Sequence, residues 1–124
     1  MRKIIIVLGL LITATAHAEV VKRMCHGVLS YVEGDRIVKV ERNDKVDPII
    51  VYDYGDSFTA FVGKDEVKHE SGRLTKTTQM VSINKDNPSF RYVRVVGNDG
   101  YGMYSLSIPL VDKSVSTRDC RNLN

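Results

Sequence analysis

The sequence predicts an all-β fold: a small antiparallel barrel or sandwich of about seven or eight short strands. Three observations predict it. Apolar residues recur at period two, with β-branched and aromatic types prominent. Clusters of Gly, Pro, Asn and Asp interrupt these runs at short, regular intervals. Two cysteines, Cys25 and Cys120, stand near the two ends of the chain. No segment beyond the first residues has helical periodicity.

Residues 1–18 read as an export signal. Arg2 and Lys3 supply the positive start, Ile4 to Ile12 are apolar, and Ala16-His17-Ala18 has the small-x-small pattern of a signal peptidase site. The apolar run is far short of the roughly 20 residues a spanning helix requires. Cleavage is therefore expected after Ala18, delivering one β domain, 19–124, to the periplasm or the medium. The expected product has no membrane span.

The strands follow in order. Cys25 to Glu33 carries Val28, Leu29, Tyr31 and Val32, and Gly34-Asp35 turns it. In Arg36 to Arg42, Val38 and Val40 should share one face and Lys39 and Glu41 the other. Asn43-Asp44 turns the chain, and Pro48 opens Ile49-Ile50-Val51-Tyr52. Gly55-Asp56 precedes a strand from Ser57 to Val62, which Gly63-Lys64-Asp65 closes. Glu66 to Glu70 is a weak candidate ended by Ser71-Gly72. Leu74 to Ile83 reads as one long strand with Thr75, Thr77, Gln79, Val81 and Ile83 on one face. Asn84 to Pro88 is a loop. Phe90 to Val96 and Tyr101 to Ile108 read as a hairpin turned at Gly97-Asn98-Asp99-Gly100. A last strand carries Val115 and Cys120. All three prolines lie at the edges of apolar runs, where sheets tolerate them.

Cysteines in an exported chain pair, and two cysteines allow one connectivity. A Cys25–Cys120 bond would close nearly the whole domain. In the chain-entropy account such a loop restricts the unfolded state by roughly 4 to 5 kcal/mol. It also requires the first and last strands to be neighbours, because bonded Cα atoms lie within about 7 Å. Neighbouring termini favour barrel-like closure.

Charge and motifs exclude more than they assign. The chain has 18 basic and 15 acidic residues. Without Arg2 and Lys3 the balance is 16 to 15, and the charges are dispersed. This lacks the footprint of a nucleic-acid binder. Cys25-His26 would need further ligands to hold zinc. His69-Glu70 is not part of HExxH, since position 73 is arginine, and it reads as an exposed charged segment. No GxSxG elbow accompanies the serines. The pairs Asp44/Asp47 and Asp53/Asp56 read as turn chemistry. No cofactor is expected. Tyr104 alternates with Leu106 and Ile108 and should be core. Tyr101 falls on the more polar face with Met103, Ser105 and Ser107, which makes it the candidate contact residue.

The general plan resembles the small periplasmic lysozyme inhibitors of the MliC type, which are disulfide-containing β-barrels with a Ser-Gly-x-x-Tyr motif. Here Ser71-Gly72-Arg73-Leu74 leads to Thr75 where that motif has tyrosine. The resemblance therefore implies the plan and not the inhibitor's contacts.

The expectation is a non-enzymatic binding module with a protein partner in the envelope or medium: an inhibitor, an immunity-type protein or an accessory factor. A small-ligand carrier with a barrel cavity and a structural subunit of a surface assembly are the alternatives. A hydrolase has the least support.

Overall fold

A computed structural model describes residues 20–97, 102–108 and 111–123 of the chain. The expected export signal, the Asn98–Gly100 turn and Tyr101 lie outside the described residues. Ten strands form one antiparallel sheet, with no α-helix among the described residues. In chain order they are β1 (Val21–Glu33), β2 (Arg36–Glu41), β3 (Ile49–Asp53), β4 (Phe58–Val62) and β5 (Val67–Glu70). Then follow β6 (Thr75–Lys76), β7 (Val81–Asn84), β8 (Arg91–Val96), β9 (Gly102–Ile108) and β10 (Lys113–Asn122).

The sheet order is β5-β4-β3-β1-β10-β9-β8-β7-β6, with β2 on β1 beside β3. The sheet curls into a half-barrel. Its inward side chains, among them Val51, Phe58, Tyr92, Tyr104, Leu106 and Val115, form the core. Its two end strands, β5 and β6, are consecutive in sequence. The short segment 71–74 spans the seam between them. Ser71 is 2 % exposed, and its hydroxyl accepts the Phe58 N–H and donates to the Gly72 carbonyl. Asn84 Nδ2 donates to the Ser71 carbonyl from the other side of the seam. These bonds satisfy backbone groups that an open sheet edge would leave bare.

The first and last long strands meet as the cysteines require. Cys25 and Cys120 form the disulfide, with Cα atoms 4.0 Å apart and 95 residues between them in sequence. The β1–β10 register shifts by one residue between Arg118 and Arg121, at Asp119 with φ 53°. This bulge re-aims Cys120 toward Cys25.

β2 and β3 run along the same edge of β1, one after the other. Leu29 pairs with Glu41, and Cys25 pairs with Ile49. Between these contacts the chain leaves the ladder, and Gly27 faces the gap. A Cβ on Gly27 would lie 1.6 Å from the Val46 carbonyl oxygen, so only glycine admits the returning backbone here. The Gly27 N–H, deprived of a strand partner, donates to Asp47 Oδ1 at 2.8 Å. Val46 turns inward and joins the core. Gly63 receives the same loop from the other side: its φ is +78°, and its N–H donates to the Pro48 carbonyl.

Two strand assignments differ from the sequence reading. Leu74 to Ile83 is not one strand. Thr78 Oγ1 accepts the N–H groups of Met80 and Val81, and the Val81 carbonyl accepts from Thr77 N–H and Oγ1. Threonine hydroxyls thus compete with the ladder and fold the run into the β6–β7 hairpin. In β2, Tyr31 pairs with Lys39 but Val32 pairs with Ile37, leaving Val38 as the extra residue of a bulge. Ile37, opposite Val32, therefore shares a face with Val40. The division of Leu74 to Ile83 brings the strand number to ten.

Candidate functional site

Asp53 is the centre of the polar interior. It closes β3, is 3 % exposed, and was assigned to turn chemistry. That role holds for Oδ1, which accepts the Gly55 N–H at 2.8 Å. Oδ2 does something the sequence did not announce. It accepts the Tyr104 hydroxyl from β9 and Arg94 Nε from β8, the latter at 2.7 Å. A carboxylate thus ties the two halves of the half-barrel together, 41 and 51 residues apart. Burial and the neighbouring carboxylate hold the Tyr104 hydroxyl protonated well above the usual tyrosine range. Tyr104 is core, as its alternation predicted, at 2 % exposure. Its network joins Asp53 to a guanidinium and a phenol, so it offers tethering and no nucleophile.

His69 corrects the sequence reading. Its segment is exposed at Val67, Lys68 and Glu70, as expected, but the histidine itself is not. Its ring is half-buried at the seam, edge-on to Phe90 at 5.2 Å and tilted on Tyr92 at 6.5 Å. Burial lowers its pKa. The register explains this, because His69 pairs with Ala60, an inward residue. His26 is exposed, with Nδ1 3.3 Å from Asp47 Oδ1. Its neighbour Cys25 is bonded to Cys120, so the pair has no thiolate to offer a metal. Among the described residues no group of three His, Cys, Asp or Glu side chains could hold a metal ion.

The core leaves little space. The void between Phe58, Tyr92, Tyr104 and Leu106 is about 10 Å³, room for about one water. Larger hollows lie at the surface, such as a 420 Å³ groove at the seam lined by Lys76, Gln79, Ser82 and Arg94.

The outer face of β7, β8, β9, β10 and β1 has a different character. Cross-strand partners share a face, so the register reads it row by row. Val81 pairs with Val95, and Val95 with Met103. In the next row Ile83, Val93, Ser105, Ser116 and Val28 pair in succession. In the third, Ser107, Ser114, Ser30 and Val40 do so, with Arg91 at the far end. Val32 and Ile37 extend the face along the β1–β2 hairpin. Arg91 ends the third row, and Arg118, paired with His26 two residues beyond Ser116 and Val28, lies on the same face of β10 and β1. Val28 and Ser30 at its middle are buried. Met103 at 41 %, Val40 at 49 % and Ile37 at 61 % carry the accessible apolar surface. Single exposed apolar residues are ordinary on a protein surface, but a contiguous apolar face is not.

No family model, curated protein or solved structure matches this chain. Tyr101, the contact residue expected from sequence, belongs to a stretch outside the described residues. Its neighbour in the same alternation, Met103, lies on the outer face with Val95.

Proposed function

We propose that this chain is an exported, non-enzymatic protein-binding module whose contact surface is the outer face of β7 to β10 with β1. The observation that carries the reading is the run of apolar and small side chains across adjacent strands, bounded by Arg91 at one end and by Arg118 with His26 at another. Such a face gains by being covered, at about 25 cal/mol per Å² of apolar surface. A rigid sheet stapled by a disulfide presents it with little ordering cost. The disulfide is compatible with an oxidising destination outside the cytoplasm, in line with the export signal read in residues 1–18. The carrier reading draws no support from an interior void of about 10 Å³.

The test immobilises oxidised residues 19–124 and the variants Met103→Asp and Val95→Asp, each checked for an unchanged melt. One identified protein retained by the parent in stoichiometric amount, and lost from both variants, is the expected result. Retention of that protein by all three would remove the outer face from the reading.

A further inference from the structure

We propose that the groove at the seam is a binding site for a small organic anion, with Arg94 and Lys76 holding its charged head. The register builds the site. Lys76 pairs with Ser82, Ser82 with Arg94 and Arg94 with Tyr104, so these side chains share one row on the inner face of β6 to β9. Lys76, Ser82 and Arg94 of that row line the 420 Å³ groove, which has the size of a small-ligand site. The site stands apart from the outer contact face, whose side chains point to the other side of the sheet.

Arg94 is oriented before any ligand arrives. Asp53 Oδ2 accepts its Nε at 2.7 Å, and the guanidinium has two further nitrogens to donate from. At 19 % exposure the side chain is held in place and still reaches the groove. Its planar fork suits a carboxylate or a phosphate. The donors beside it are unspent. Among the described residues no carboxylate lies within ion-pairing distance of Lys76, and the side chains of Gln79 and Ser82 make no hydrogen bond. Asp53 already offsets Arg94, so Lys76 supplies the attraction at longer range. Exposed Asp56, the one carboxylate lining the groove among the described residues, opposes it.

The lining is not wholly polar. Leu74, Met80 and Val96 give an apolar stem a place to lie. The ligand class is therefore a short apolar stem with a carboxylate or phosphate head. An open groove and so small a ligand set the expected dissociation constant on the order of 1 mM.

NMR titration of oxidised residues 19–124 with hexanoate, hexyl phosphate and hexanol, at fixed ionic strength, tests it. Saturable shifts at Lys76, Gln79 and Ser82 with the two anions, and none with hexanol, are expected. The tighter anion names the head group. Lys76→Ala should weaken binding about fivefold and Asp56→Asn should tighten it about twofold, since one removes an attraction and the other a repulsion. Both variants should melt as the parent does, because neither side chain makes a bond among the described residues. Lys64→Ala, 69 % exposed and not part of the groove, should change nothing. The absence of saturable shifts up to about 20 mM overturns the inference. Equal shifts with hexanol overturn it too, as does anion binding that Lys76→Ala and Asp56→Asn leave unchanged.

Discussion

Asp53 joins a loop and two distant strands. Its two oxygens take one loop N–H, one phenol and one guanidinium. Replacing it by asparagine would leave Arg94, whose side chain is 19 % exposed, without its counter-charge. The expected cost is about 2–4 kcal/mol, toward the lower end for a broken buried pair because Arg94 retains some water. A urea midpoint for Asp53→Asn checks this. Tyr104→Phe, which removes only the phenol, should cost less, about 1.5–3 kcal/mol. Gly27→Ala works by another route. Its methyl would meet the Val46 carbonyl, and backbone cannot step aside as a rotamer can. A loss of about 3 kcal/mol or more is expected. His69 adds a pH dependence. Its pKa is lowered by burial, so the unfolded chain holds the proton more tightly. Its contribution is full above the ordinary histidine value of 6.5 and falls as pH drops below that value. His69→Leu should flatten this part of the stability–pH curve between pH 7 and 5, read from denaturant midpoints.

At the scale of elements, local side-chain chemistry decides where strands begin and end. Thr77 and Thr78 break a run whose alternation alone would be one strand. Thr78→Ala removes two accepted N–H bonds and should cost about 1 kcal/mol, with the loss confined to β6 and β7 in hydrogen exchange. Most strands were legible because alternation matches a sheet with one buried face: Tyr92, Tyr104, Leu106 and Val115 all point inward. The Thr-rich hairpin was not legible, because hydroxyl-to-backbone bonds leave no periodic trace. The Val38 bulge was missed for a related reason. An extra residue shifts the faces without altering composition. The outer face was hidden too, since each of its strands shows only two or three of its residues. Only the register places Val81, Val95 and Met103 in one row.

For the whole molecule, the disulfide dominates the unfolded state. It closes a span of 95 residues, so its loss should cost roughly 4 to 5 kcal/mol on the chain-entropy account. That rivals the stability of a marginal small domain. The double variant Cys25→Ala, Cys120→Ala should therefore be largely unfolded at 37 °C. Circular dichroism before and after reduction of the parent chain gives the same comparison.

The sequence by itself determined the fold class, the strand-and-turn rhythm and the bond between Cys25 and Cys120. Each depends on local alternation, local turn chemistry or a pairing with one solution. The tertiary structure alone decided the curl of the sheet, the seam between β5 and β6, the Asp53 tether and the apolar rows of the outer face. Those depend on which residues lie opposite one another across strands distant in the chain. Register is a collective property of the folded sheet, and no single segment contains it.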